Sequence, residues 1–200
     1  MRGVIMHAAR DIRVEDREVP HVIEPTDAVI KLEAACVCGS DLWPYRGIQP
    51  LEKARPMGHE YVGTVVEVGD EVKNVKVGDF VVGSFCLSDN TCEICEDGYQ
   101  SRCANGGFIS DTQAEYTRVA LADGTLVVVP GGKPDDPEII ASLLAASDVL
   151  GTGWFGAVAA QAGPGKTIAV VGDGAVGLSA VLAAKTLAPK IGRASCRERV

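Results

Sequence analysis

The chain shows two patterns of hydrophobic and polar positions, which meet near Gly131 and Gly132. Before them, short apolar or alternating runs are separated by turn signals such as Gly69-Asp70 and Gly78-Asp79, as is typical of closely spaced strands. The runs predict strands at residues 4–6, 12–19, 28–35, 61–68, 80–85, 114–120 and 126–129. This arrangement favours a compact β-barrel, with a two-sheet sandwich as the open alternative.

After the two glycines the pattern becomes helical. Residues 137–162 are rich in Ala, Leu and Ile, and Pro137 suits a first helical turn. One stripe at helical spacing comprises Ile140, Leu143, Leu144 and Ser147. Asp148 falls on the same stripe, where a carboxylate is costly unless it is paired or bound to a cation. Alternatively the helix has ended by Asp148, because Gly151 and Gly153 follow.

A glycine loop follows the helical segment. Residues 167–172 predict a short buried strand, and residues 178–187 predict a helix. The loop between them reads Gly172-Asp173-Gly174-Ala175-Val176-Gly177. This G-x-G-x-x-G pattern between a strand and a helix predicts a dinucleotide site, with the pyrophosphate at the helix start. A plain glycine-rich turn is the alternative.

Composition narrows the class of protein. The 200 residues are 46% hydrophobic and 23% charged, enough for a folded core. The net charge of −8 argues against a nucleic-acid or anionic-membrane surface, and no apolar run approaches the ~20 residues of a membrane span. The N-terminus lacks a secretory pattern, so we expect a cytoplasmic protein. The chain has seven cysteines, some at CxxC spacing. Without an export signal, this spacing indicates metal binding rather than disulfide bonds.

Two groups of residues carry metal-ligand chemistry. Cys38-Gly39-Ser40-Asp41 and Gly58-His59-Glu60 supply a thiolate and an imidazole, which Zn²⁺ prefers. The second group reads Asp89-x-x-Cys92-x-x-Cys95-x₇-Cys103, a spacing that predicts a tetrahedral structural zinc site. Cys86 competes with Asp89 as its fourth ligand, and a metal-free loop with buried thiols is the alternative.

Together these motifs resemble the zinc-dependent medium-chain alcohol dehydrogenases. They occur in that family's order across nearly all of residues 1–190. The resemblance implies a mixed β and α/β fold, with a GroES-like β-barrel catalytic domain at residues 1–132. The start of a Rossmann NAD(P)-binding domain would follow at residues 133–190.

The resemblance also assigns roles. Cys38, His59 and Asp148 would bind the catalytic Zn²⁺, Ser40 would pass a proton, and Glu60 would act behind the metal or exchange in as a ligand. For Glu60 the alternative is a solvated carboxylate at a strand edge. Asp148 stands where the family usually has Cys, as in the formaldehyde-dehydrogenase branch. Asp89 also replaces a usual Cys, which puts the structural zinc in question.

The implied function is hydride transfer between a small alcohol or aldehyde and NAD or NADP. Alternatives are a formaldehyde- or polyol-type dehydrogenase of the same family, or a catalytically inactive zinc-binding fragment. Residues 172–177 would hold the dinucleotide. We expect no nucleic-acid or membrane partner, and we expect the longer parent protein to be a homo-oligomer.

Residues 191–200 change composition again. In a complete Rossmann unit, a second apolar strand leads to a ribose-binding acid about 20 residues past the glycines. Residues 191–200 lack that β pattern, and one back-translation of them resembles a sequencing adapter. We therefore expect this tail to be non-native and the chain to be truncated, poorly soluble and inactive as it stands.

Overall fold

A computed structural model describes residues 1–187, in which ten strands precede the long helices. The strands are β1 (Arg2–Ala8), β2 (Asp11–Asp16), β3 (Ala28–Ala35), β4 (Arg55–Pro56), β5 (Tyr61–Val68), β6 (Phe80–Gly83), β7 (Cys86–Leu87), β8 (Gly107–Phe108), β9 (Tyr116–Val119) and β10 (Leu126–Val128). The helices are α1 (Leu42–Tyr45), α2 (Glu93–Glu96), α3 (Ala122–Thr125), α4 (Pro137–Ala145), α5 (Val149–Ala159) and α6 (Ala175–Leu187), with 3₁₀ turns at Gly39–Asp41 and Gln100–Arg102.

The strands form three antiparallel sheets. The largest has the order β10-β6-β5-β3-β9, and the others are β2-β1-β4 and β7-β8. The two-residue strands β4, β7 and β8 are absent from the sequence prediction, because two residues are too few to show an alternation of apolar and polar positions. The other predicted strands of residues 1–130 are present, and the bounds of β3 and β5 match the predicted ones.

Pairing of β3 with β5 organises the core and the candidate site. Both strands begin with three consecutive buried residues, and Ala35 lies opposite Tyr61 in the ladder. Tyr61 is fully buried, and its ring occupies the space beside Gly83, where a methyl group would lie 1.9 Å from Cζ. The pairing sets the last residues of β3 beside the segment that enters β5.

The chain folds as two compact units, of which the first is Met1–Leu144 and the second begins at Ala145. The domain boundary proposed after residue 132 rests on a change of composition and stays a prediction. In the second unit α5 packs on α6, and a methyl group at Gly153 would lie 2.5 Å from the backbone nitrogen of Ala180. Gly153 is therefore an interior helix residue that permits close approach, and not the mark of a helix end.

Two predictions for residues 137–172 are wrong. The helix ends at Ala145, as the alternative interpretation expected, so Asp148 occupies the N-cap position of α5 and does not continue the stripe of α4. Residues 167–172 form no strand, and the side chain of Val171 is 80% exposed. A strand needs a partner for its N–H and C=O groups, and no described segment of this unit pairs with residues 167–172.

Within residues 1–187, no single helix has the length and apolar character of a membrane span. The pair Pro137–Ala145 and Val149–Ala159, bent by 44°, reaches that length and composition only when taken together. The prediction that residues 191–200 are non-native lies outside the described residues.

Candidate functional site

The β3–β5 pairing brings the first two predicted zinc ligands together. Cys38 lies three residues after the end of β3, and His59 lies two residues before β5. The sulfur of Cys38, a ring nitrogen of His59 and a carboxylate oxygen of Glu60 all lie within 4.8 Å of one another. Cys38 and His59 are half-buried, whereas Glu60 is only 2% exposed.

Asp41 links the two loops. Its Oδ2 accepts a hydrogen bond of 3.0 Å from the backbone N–H of Cys38, and its Oδ1 lies 3.7 Å from Nδ1 of His59. Carboxylates beside a ligating histidine fix the orientation of its ring. Asp41 thus holds the backbone of Cys38 and places a carboxylate near the ring of His59.

Glu60 is not the solvated strand-edge carboxylate of the alternative interpretation. It is buried, and its Oε1 lies 3.9 Å from Nε2 of His59. Burial of a carboxylate is costly unless a positive partner offsets it. A cation held by Cys38 and His59 would supply that partner.

Ser40 and Asp148 occupy different settings. Ser40 is exposed in the 3₁₀ turn Gly39–Asp41, directly after Cys38. Asp148 belongs to the second unit, where it occupies the N-cap position of α5 and its Oδ1 accepts a hydrogen bond of 2.9 Å from Oγ1 of Thr152. The assignment of Asp148 to the metal stays a prediction.

The cysteine cluster is closed by the β7–β8 pair. Leu87 lies opposite Gly107 in that pair, which brings Asp89 and Cys103 together. The three sulfurs of Cys92, Cys95 and Cys103 and a carboxylate oxygen of Asp89 lie within 4.8 Å of one another, and this group does not include Cys86. Cys86 instead belongs to β7, where it pairs with Phe108.

The spacing of these thiols fits zinc. The sulfurs of Cys92 and Cys103 are 3.9 Å apart. Two Zn–S bonds of about 2.3 Å at a tetrahedral angle put their sulfurs about 3.8 Å apart. The donor set of three sulfurs and one oxygen therefore fits a tetrahedral ion without rearrangement of that pair.

Asp89 is held firmly in this cluster. Nδ2 of Asn105 donates to its Oδ2 at 2.6 Å, and the backbone N–H groups of Thr91 and Cys92 donate to its Oδ1 at 2.9 and 3.1 Å. These hydrogen bonds hold the pKa of Asp89 well below its usual range. Because three donors occupy part of the carboxylate, one lone-pair direction remains for a metal.

The thiols differ in their readiness to ionise. Burial, and then contacts with Cys92 and Cys103, raise the pKa of Cys95 to about 12, whereas hydrogen bonds from the backbone of Ala104 and Cys95 lower the pKa of Cys92. Neighbouring thiols do not all ionise without a compensating charge, and a bound divalent cation supplies it.

The predicted cofactor loop, residues 172–177, runs into the first turn of α6. Gly172 has a φ of 110°, and a methyl group at Gly177 would lie 2.1 Å from the carbonyl oxygen of Gly172. A methyl group at Gly174 would meet no atom of the described residues within 4 Å. The loop therefore needs glycine at 172 and 177 for its own backbone, while the space beside Gly174 is open.

Comparison with known proteins decides the family. The model of the alcohol dehydrogenase GroES-like domain matches residues 24–131, more than half of the chain. The chain belongs to the alcohol dehydrogenase family with this GroES-like domain. The resemblance and the fold class inferred from the motifs are thereby confirmed.

Individual alcohol dehydrogenases and their relatives agree with this assignment. A zinc-type alcohol dehydrogenase B from Aspergillus flavus is 36% identical over 95% of the chain, and a medium-chain reductase/dehydrogenase from Acremonium sp. is 38% identical over 96%. The solved alcohol dehydrogenase from Thermus sp. ATN1 superposes with a TM-score of 0.83 at 34% identity, over 96% of the chain. The chain spans 46%, 68% and 57% of these proteins, respectively.

Sequence reasoning missed one part of this alcohol dehydrogenase site. Thr112 and Gln113 lie against the two ligand-bearing loops and form hydrogen bonds to both. No motif marks them, because an amide or hydroxyl that binds a distant carbonyl has no characteristic spacing in the chain.

Proposed function

We propose that the chain carries the catalytic part of a zinc-dependent oxidoreductase that transfers a hydride between an alcohol or aldehyde and NAD or NADP. The observation that supports it most directly is the convergence of Cys38, His59 and Glu60 within the GroES-like unit of an alcohol dehydrogenase. A thiol, an imidazole and a buried carboxylate form a donor set suited to Zn²⁺.

In this proposal Cys38, His59 and Asp148 hold the catalytic zinc. Thiolate, neutral imidazole and carboxylate carry two negative charges, which balance the ion. When bound, zinc would polarise the oxygen of the substrate, and the nicotinamide would exchange a hydride with the adjacent carbon. Asp148 at this position is the feature that favours a formaldehyde-type branch as the second candidate.

The remaining residues orient groups and move the proton. Ser40 is exposed beside Cys38, so its hydroxyl can pass the alcohol's proton to solvent. Asp41 holds the backbone of Cys38 by a hydrogen bond, and its carboxylate lies near the ring of His59. Glu60 places a buried negative charge beside His59, which favours retention of a cation there.

For the dinucleotide, we propose that Gly172, Asp173, Gly174, Ala175, Val176 and Gly177 bind the pyrophosphate at the start of α6. The open space beside Gly174 supports this role, since a phosphate would need it. We further propose that Asp89, Cys92, Cys95 and Cys103 hold a second, structural zinc. Cytoplasmic location and homo-oligomeric assembly are part of the same proposal.

Metal analysis of the purified chain tests the two zinc sites. We expect two zinc ions per chain, one of which is lost in Cys38→Ser and the other in Cys95→Ser. His7→Gln is the control, because it changes a side chain of a metal-ligating type that belongs to neither cluster. A wild-type chain without zinc would refute the proposal.

A fusion protein tests the chemistry. Because the chain spans 57% of the Thermus alcohol dehydrogenase, residues 1–187 are joined to the remaining part of that protein. Ethanol, formaldehyde and sorbitol are offered with NAD or NADP, and nicotinamide absorbance is followed. We expect turnover that Cys38→Ser abolishes; two bound zinc ions without turnover of any substrate would favour the inactive zinc-binding module.

A further inference from the structure

Residues 112 and 113 join the two loops that carry Cys38 and His59. The backbone N–H of Gln113 donates a hydrogen bond of 2.9 Å to the carbonyl oxygen of Met57. The backbone N–H of Thr112 donates one of 3.2 Å to the carbonyl oxygen of Gly58. Oγ1 of Thr112 donates to the carbonyl oxygen of Glu60 at 3.3 Å. These three bonds restrain the backbone on both sides of His59.

The side chain of Gln113 reaches the other loop. Its Nε2 donates a hydrogen bond of 3.1 Å to the carbonyl oxygen of Cys36, two residues before Cys38. Cys36 and Gln113 are 77 residues apart in sequence, so this bond is a long-range tie and not part of a local turn. Gln113 therefore contacts both ligand-bearing loops, one through its backbone and the other through its amide.

Gln113 is itself held in place. Its carbonyl oxygen accepts a hydrogen bond of 2.8 Å from the backbone N–H of Val4 in β1. The absence of a side chain at Gly58 lets the loop approach it, since a methyl group there would lie 2.6 Å from Cγ of Gln113. A residue anchored on one strand and packed against Gly58 has little freedom to move its amide away from Cys36.

We propose that Gln113 is a positioning residue for the metal site, which sets the separation of Cys38 and His59 through the hydrogen bond to Cys36. The proposal rests on the proposed function, because it requires a metal at Cys38 and His59. Residues that orient metal ligands through hydrogen bonds typically change metal affinity by about 10–100-fold when they are removed. Gln113 acts through the backbone, so we expect the lower end of that range.

Two substitutions separate the hydrogen bond from simple packing. Gln113→Met keeps the length of the side chain and removes the donor. Gln113→Glu keeps the shape and places a carboxylate oxygen against the carbonyl oxygen of Cys36. Glu115→Gln is the matched control. Glu115 lies only two residues from Gln113 in sequence, and the substitution alters an exposed ion pair with Arg2.

The measurement is Co²⁺ binding to the 200-residue chain, which needs no catalytic turnover. Competition with a chelator gives the affinity at each site, and the visible absorbance bands report the geometry around Co²⁺. The three-thiol cluster at Cys92, Cys95 and Cys103 serves as an internal reference in the same sample. Thermal unfolding of the metal-free proteins is recorded as well, which gives the melting temperature of each variant.

We expect both Gln113 variants to weaken Co²⁺ at the Cys38–His59 site by about tenfold and to shift its absorbance bands. The three-thiol cluster and Glu115→Gln should behave as wild type. Wild-type affinity and spectra in Gln113→Met would overturn the positioning role alone. Equal weakening of both sites, in parallel with a lower melting temperature, would also overturn it. Absence of metal at Cys38 and His59 in the wild-type chain would overturn both this inference and the proposed function.

Discussion

Replacement of Gly58 by alanine tests whether the close contact beside His59 shapes the site. Gly58 has a φ of 92°, and the new methyl group would lie 2.6 Å from Cγ and from the backbone nitrogen of Gln113. Gly78 offers a matched control: its φ is 94°, and a methyl group there would meet no atom of the described residues within 4 Å. Both glycines belong to the unit Met1–Leu144.

The expected difference in melting temperature follows from two free-energy costs, backbone strain and overpacking. A side chain forced into a left-handed backbone costs about 1–3 kcal/mol, and both variants carry this cost. Overpacking adds about 1–3 kcal/mol, and only Gly58→Ala carries it. Since 1 kcal/mol shifts the melting temperature of a chain of this size by about 2–4 °C, Gly58→Ala should melt about 2–12 °C below Gly78→Ala.

Differential scanning calorimetry of both variants provides the test, with Co²⁺ affinity at Cys38 and His59 as a second readout. We expect Gly58→Ala to lose affinity as well as stability, because relief of the clash must displace either Gln113 or His59's own loop. Equal melting temperatures and equal affinities in the two variants would refute the reasoning.

Three further predictions concern other parts of the chain. Cys95→Ser should lower the melting temperature and remove one zinc, while Co²⁺ affinity at the other site is unchanged. Gly174→Val should abolish NAD(P) binding in the fusion protein yet leave the fold intact by circular dichroism, whereas Gly177→Ala should perturb the loop itself. Hydrogen bonds from Lys76 lower the pKa of Asp79, so its stabilisation is present above about pH 4 and lost as pH falls further; Asp79→Asn should flatten that part of the stability–pH profile.

The short apolar runs and the turn signals that bound them are sufficient to predict β3 and β5 to the residue. Both strands begin with three consecutive buried residues, so burial requires apolar residues on both faces there. The same reasoning fails for residues 167–172, which are apolar but have no partner strand among the described residues. An apolar run indicates that a segment favours burial, but a strand forms only where a neighbouring strand can pair with it.

The helical region shows a similar limit. The spacing of apolar residues from Pro137 onward predicts a helix, and α4 begins there. The same helical spacing continues past Ala145, where α4 ends, so the pattern does not reveal the break. Gly153 suggests a helix end by its residue type, although it lies inside α5 against Ala180. A glycine can terminate a helix or permit close packing, and only the position of the neighbouring helix distinguishes the two.

The sequence alone indicated zinc-binding chemistry, because thiols, imidazole and carboxylates at these spacings are typical of zinc sites. It also determined the family, since several motifs occur in the family's order. Tertiary structure decided which donors meet. The β3–β5 register brings Cys38 to His59, burial removes Glu60 from solvent, and Gln113 reaches Cys36 across 77 residues. Such contacts depend on long-range packing, which leaves no period or spacing in the chain from which they could be predicted.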